Sequence, residues 1–209
     1  MDITIATQDA LPPGVTLTVN GTRYISRPME TAEPECDPIA FSQRNPHWSG
    51  IQLGASTYTI GSAGCAVTAA AMLGTLAEQA LTPGTLTMRL NATDGFTHDG
   101  LLVWYKVAEA VEGLEYVIYS KWRIGPANLQ AIRDALARGP QVLQVDFKPQ
   151  TSPLDTHFVL GLRMTEDGGD IEIIDPYTGN RGTLLGMYAR EDWDLSRAVY
   201  ALAEFKMTR

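Results

Sequence analysis

Polar and apolar positions alternate along Val15-Thr16-Leu17-Thr18-Val19, and a second β-prone run, Thr22-Arg23-Tyr24-Ile25, follows Asn20-Gly21. Two such runs joined by Asn-Gly predict a hairpin, because that dipeptide accepts the positive φ angles of a tight turn. Pro28 to Pro38 is rich in proline and acid and reads as a linker or extended arm. Residues 1–40 are therefore expected to be a hairpin arm with its linker, and residues 41–209 the main domain. Asn45-Pro46 and Ser49-Gly50 break up the 42–63 stretch, which reads as a long loop of the kind that often carries function. Helical patterning follows: an Ala-, Leu- and Met-rich run over 65–79, then 84–92 after Thr82-Pro83. Leu101, Trp104, Tyr105, Ala108 and Val111 recur at helical spacing and predict a helix over 100–112. Leu129, Ile132 and Leu136 predict another over 126–138, with Pro126 in its first turn and Gly139-Pro140 ending it. Strand signals come mostly later, at 115–119, 142–147, 157–162, 171–174 and 199–205, with a hairpin turn at Glu166-Asp167-Gly168-Gly169. Helices first and hairpin-linked strands afterwards imply an α+β fold in which helices pack on an antiparallel sheet.

Composition narrows the partners. Hydrophobic residues make up 44% of the 209 positions and charged residues 19%, the balance of a globular chain. The net charge of −8, with no concentrated basic stripe, speaks against nucleic acid as a partner. No apolar run approaches the ~20 residues that span a bilayer. Met1-Asp2-Ile3-Thr4 lacks the basic start of a secretory signal, so the chain is expected to be cytoplasmic as synthesised, with export by another route left open. His47, His98 and His157 are scattered and Cys36 and Cys65 isolated, so no zinc spacing and no cofactor are expected. A Cys36–Cys65 disulfide is disfavoured for a protein of a reducing compartment.

Cys65 carries the sharpest chemical signal. It stands where the small-residue turn Gly61-Ser62-Ala63-Gly64 meets the helix-favouring run from Ala66. A thiol at a helix start meets free backbone N–H groups and the positive end of the peptide dipoles, and both favour the nucleophilic thiolate. His157 opens one strand and Asp175 ends the next, so a hairpin brings both to the same end of a sheet. A nucleophile, a base and a group that orients the base can then meet. Asp155 is the alternative orienter, but two residues from His157 on an extended chain it points the same way rather than at the ring. For a developing oxyanion the donors are the Cys65 N–H and Gln43, with Gln52 as second choice. Each residue also has an ordinary reading: a small buried hydrophobe, a strand-edge histidine, a turn-forming aspartate, a solvated glutamine. Trp48, Trp104 and Trp122 are either core or cleft lining.

Phe41-Ser42-Gln43-Arg44-Asn45-Pro46-His47-Trp48, Leu53-Gly54 and Tyr58 through Thr68 resemble the opening of bacterial and phage papain-like domains. These are related to the bacteriocin-leader-processing peptidases, family thirty-nine of the cysteine peptidases. Gly139-Pro140-Gln141-Val142, His157-Phe158-Val159 and Ile173-Ile174-Asp175-Pro176-Tyr177 resemble that family's second half, so the likeness spans roughly residues 41–180. It implies a papain-like cysteine peptidase fold with Cys65 as nucleophile, His157 as general base, Asp175 as orienter and Gln43 as oxyanion donor. In many relatives the glutamine stands only a few residues before the cysteine, whereas here the whole 44–64 segment intervenes. The leader-processing enzymes are usually fused to a transporter, and no transporter segment is present, which removes that substrate assignment. The expected activity is a cysteine (thiol) hydrolase that cleaves an amide bond in a peptide or peptidoglycan cross-bridge. The alternatives are an inactive binding or structural module of a phage or secretion assembly, docked through the arm, and an acyltransferase using the same three residues. Oligomeric state is not legible.

Overall fold

The computed structural model describes residues 37–122, 126–151 and 153–208, together with the backbone of 16–19 and 22–25. The chain divides into two compact units, Met1–Cys36 and Asp37–Arg209. In the first, β1 (Thr16–Val19) and β2 (Thr22–Ile25) pair antiparallel, with Val19 opposite Thr22, as the Asn-Gly signal predicts. Cys36 and most of the proline-rich linker lie outside the described residues.

The second unit packs helices against a six-stranded antiparallel sheet ordered β3-β8-β4-β5-β6-β7. The strands are β3 (Leu114–Lys121), β4 (Gln141–Asp146), β5 (Thr156–Met164), β6 (Ile171–Ile174), β7 (Arg181–Thr183) and β8 (Ala201–Met207). Strand β4 is buried along its whole length because both its faces are covered, although Gln141, Gln144 and Asp146 interrupt its apolar run. One face carries α1 (Ile60–Ala63), α2 (Cys65–Gly74), α3 (Pro83–Asn91) and α4 (Trp104–Ala110). Their apolar side chains share a core with Val142, Leu160 and Phe205 of the sheet. The other face carries α5 (Leu129–Leu136), α6 (Leu184–Tyr188) and α7 (Leu195–Ala198), which pack with Leu143, Val145 and Val159. Alternating strand side chains thus feed two separate cores. Among the described residues no helix is long and apolar enough to cross a membrane.

Several boundaries differ from the sequence pattern. The first long helix stops at Gly74, where Leu81 packs so closely that a Cβ would meet Leu81 Cδ2. Residues 100–103 are a loop and not the first turn of α4. A turn closed by Gly100 N–H to the Thr97 carbonyl and a bridge between Phe96 and Leu102 hold them, leaving Leu101 exposed. Pro126 precedes α5 and is not in its first turn: Asn128 is the N-cap, accepting from the Ala131 N–H at 3.1 Å. The final strand begins at Ala201, since Val199 still closes α7 by donating to the Leu195 carbonyl. The 42–63 stretch is ordered by a Gln52–Thr59 bridge and by α1.

Gly64 is the hinge between α1 and α2. Its N–H closes α1 on the Ile60 carbonyl at 2.8 Å, and its own carbonyl accepts from Thr68 N–H to begin α2. A Cβ on Gly64 would sit 2.5 Å from Ile60 Cα and from Ile60 O. Gly64→Ala is expected to push the two helices apart, at about 1–3 kcal/mol. Melting should drop by several degrees, at roughly 2–4 °C per kcal/mol for a chain of this size. Because Cys65 is the next residue, any hydrolysis should fall by more than the melting shift accounts for. A variant with unchanged melting and activity would show that the junction is not tight.

Candidate active site

Cys65 is half-buried as the first residue of α2. His157 enters from the start of β5, where it is 4% exposed, and Asp175 follows the end of β6, where it is 1% exposed. His157 Nε2 and Asp175 Oδ1 are 2.9 Å apart. The Cys65 thiol interacts electrostatically with the same ring. The three side chains that the sequence places on distant segments therefore meet. Since Nε2 is engaged by Asp175, Nδ1 is the ring nitrogen left for the sulfur.

The Asp175 carboxylate is held by more than the histidine. Oδ1 also accepts from Tyr177 N–H at 2.9 Å, and Oδ2 accepts from Thr178 N–H at 3.1 Å and from Thr178 Oγ1 at 2.7 Å. The backbone beneath closes with Gly179 N–H on the Asp175 carbonyl at 2.7 Å, and Gly179 has φ +82°, a conformation glycine adopts without strain. Asp175 is thus both the turn-forming aspartate that Asp-Pro-Tyr-Thr-Gly advertises and the partner of the imidazole.

The charges follow from these contacts. Burial favours protonation of Asp175, yet the His157 and Thr178 hydrogen bonds and the Tyr177 N–H outweigh it and hold the carboxyl at about 2. Burial also favours a neutral His157 ring, but the hydrogen bond to Asp175 and the interaction with Cys65 prevail, with their charges adding, and the ring is pushed up to about 9. An ionised carboxylate only accepts, so His157 Nε2 carries a hydrogen and donates it to Asp175. Burial, then the interaction with Asp175, then Cys65, push the Tyr188 phenol far above the ordinary range, so it stays neutral. Phe147 and Tyr188 pack against the imidazole with ring centroids 4.8 Å and 5.4 Å away.

Gln43 reaches the same place across the intervening segment. Its N–H donates to the Pro176 carbonyl at 2.6 Å, and Ser42 Oγ donates to the Tyr177 carbonyl at 3.0 Å. Arg44 lies over the Tyr177 ring at 5.0 Å. These links seat residues 42–44 on the turn that follows Asp175. Gln43 is 4% exposed, and its Nε2 gives one hydrogen to the Gly61 carbonyl at 3.3 Å, leaving the second available. Gln43, Cys65 and His157 all line a cavity of about 890 Å³.

Neither second choice takes the role considered for it. Gln52 donates to the Ser56 carbonyl within its own loop. Asp155 lines the cavity but pairs with Lys148 at 3.4 Å and not with the imidazole, because an extended chain does not bend its side chain back onto its neighbour's ring. Trp104 lines the cavity and is also core, whereas Trp48 packs edge-on against Phe41 and Trp122 belongs to the opposite face of the sheet. His47 is exposed and the His98 side chain is 95% exposed. Among the described residues no three His, Cys, Asp or Glu side chains gather as metal ligands.

The sequence matches no family model, and no curated protein matches it. Sequence patterning did not reveal Phe147, Tyr177, Thr178 or Tyr188. The Asx turn after Asp175 is a local signal for Tyr177 and Thr178. Phe147 and Tyr188 reach the imidazole only through tertiary packing and carry no local signal.

Proposed function

We propose that the protein is a thiol hydrolase that cleaves an amide bond in a peptide or peptidoglycan cross-bridge. The observation that carries the reading is the buried 2.9 Å contact from His157 Nε2 to Asp175, with Cys65 beside the same ring on the wall of one cavity. A structural cysteine has no need of an oriented, paired imidazole. The thiol on a helix laid against antiparallel strands that deliver the histidine and aspartate also supports the papain-like resemblance.

In this mechanism His157 Nδ1 takes the proton from Cys65 Sγ, giving a thiolate–imidazolium pair. Asp175 keeps the imidazolium in register and favours its charge. The thiolate attacks the carbonyl carbon, and the carbonyl π electrons move onto oxygen. The oxyanion is held by the second hydrogen of Gln43 Nε2 and by the Cys65 N–H, one of the first-turn donors that a helix leaves unused. His157 then gives its proton to the leaving nitrogen, the C–N bond breaks and a thioester remains. Water enters as His157 accepts one of its protons, the C–S bond breaks, and the acid leaves.

The test is wild-type protein on a peptide and muropeptide panel, read by mass spectrometry, with a primary amine added to half the reactions. New carboxyl termini support hydrolysis, and an amine adduct in their place supports the acyltransferase alternative. Iodoacetamide should label Cys65 rapidly at neutral pH or below and stop turnover. No cleavage, with labelling at the pace of an ordinary thiol, would remove the enzyme reading and leave a binding module.

A further inference from the structure

The cavity extends well beyond the reacting groups. From Cys65 it runs along α4 and β3, over Leu101, Trp104, Tyr105, Tyr116, Tyr119 and Phe158. Its floor is fixed: Trp104 packs on Phe158 at 5.3 Å and on Tyr119 at 5.4 Å between ring centroids. Gln144, the polar residue of the floor, already accepts from Tyr119 OH at 3.2 Å and donates to Thr156 Oγ1 at 3.4 Å. What remains is a broad apolar basin beside the thiol, roomy enough for a large side chain.

Two lysines stand at the rim. Lys148 is matched by Asp155 at 3.4 Å. Lys121, exposed at the end of β3, lies over the Tyr119 ring at 5.2 Å and pairs with no carboxylate among the described residues. A cation with no carboxylate partner among the described residues, on the cleft of a chain with net charge −8, is a local inversion of sign, and such a site draws an anionic group.

The sheet register gives its distance from the chemistry. Lys121 pairs with Ala201, Ala201 with Gln144, and Gln144 with Phe158, the residue after His157. Three strand steps at ~4.8 Å, less the length of a lysine side chain, correspond to about two to four residues of extended peptide.

Resting on the hydrolase reading, we propose that the cleft selects peptides that place a bulky aliphatic or aromatic side chain in the Trp104–Phe158 basin and a carboxylate on Lys121, about two to four residues from the cleaved bond. The basin supplies affinity through apolar burial, and Lys121 supplies the choice between acidic and neutral peptides.

The test separates binding from chemistry by using Cys65→Ala protein and isothermal titration. The probes are synthetic peptides carrying Leu or Phe with Glu two, three or four residues away, their Gln counterparts, and a Gly-for-Phe set. The best Glu peptide should bind about tenfold more tightly than its Gln counterpart at low salt, and the gap should shrink as salt rises. Lys121→Met should level the two, and Lys121→Glu should reverse the order. Tyr105→Ala, at a half-exposed position that tolerates change, should weaken Phe peptides and leave Gly peptides unmoved. Equal binding of Glu and Gln peptides, a preference that survives Lys121→Glu, or no binding of any peptide overturns the proposal. Wild-type protein that binds the Glu peptide but never cuts it would overturn the hydrolase reading and leave this selectivity standing.

Discussion

Cys65→Ala is expected to lower amide hydrolysis by about a millionfold, the loss seen when a nucleophile is deleted from a unit whose members act together. Without the sulfur no thioester forms, and neither His157 nor Asp175 has anything to activate. What survives is whatever acceleration the oxyanion donors and the cleft supply to water. The fold should be untouched, since the thiol is half-buried and alanine suits a helix that continues Ala66-Val67-Thr68. The imidazole gives a second readout. Part of its rise to about 9 comes from its interaction with Cys65, so the variant's His157 should titrate lower, as NMR of the ring protons would report. A Cys65→Ala protein that hydrolyses substrate at the wild-type rate would end the nucleophile assignment.

Asp175→Asn is expected to cost roughly ten-thousandfold in turnover while the domain stays folded. An asparagine NH₂ facing Nε2 would force the ring hydrogen onto Nδ1, where a hydrogen already present blocks uptake of the thiol proton. If the amide turns its oxygen to the ring instead, its NH₂ faces the Thr178 N–H, and a donor meets a donor. Either way the variant also loses the charge that holds the imidazolium. Stability against pH should change with it. Asp175, lowered from 3.8 to about 2, contributes stability that is present above 3.8 and is lost as pH falls towards 2. His157, raised from 6.5 to about 9, contributes stability that is present below 6.5 and is lost as pH rises towards 9. Wild-type melting should therefore fall on both flanks, and Asp175→Asn should flatten both. Activity should decline on the alkaline side as the imidazolium loses its proton near 9. Turnover of Asp175→Asn within tenfold of wild type would show that the carboxylate does not orient the base.

The sheet, the long helices and the meeting of Cys65, His157 and Asp175 were legible because each rests on a strong local signal. Small residues before a helix mark Cys65, and a hairpin between two apolar runs makes His157 and Asp175 neighbours. The choice of Asp175 over Asp155 rests on strand geometry, and the family resemblance points the same way. Helices α1, α6 and α7, of four or five residues, are too short to show a period, and three-residue β7 (Arg-Gly-Thr) has no strand pattern. The 100–103 turn was misread because Leu101 continues the apolar spacing of α4 by coincidence, while the Phe96–Leu102 bridge sets its true course. Gln43 was carried by resemblance, and the contacts that seat it run to Pro176 and Tyr177, residues no local window links to it.

Strand β8 is the last element of the described chain, yet it lies between β3 and β4 near the middle of the sheet. A nascent polypeptide still emerging from the ribosome therefore holds a four-stranded sheet, β4 to β7, and a lone β3 with no strand partner until residues 201–207 arrive. The thiol at position 65 is made long before its base and long before that closing strand. On the proposed hydrolase reading, such an order of synthesis leaves any fragment released before residue 201 without the strand that joins the two sides of the cleft.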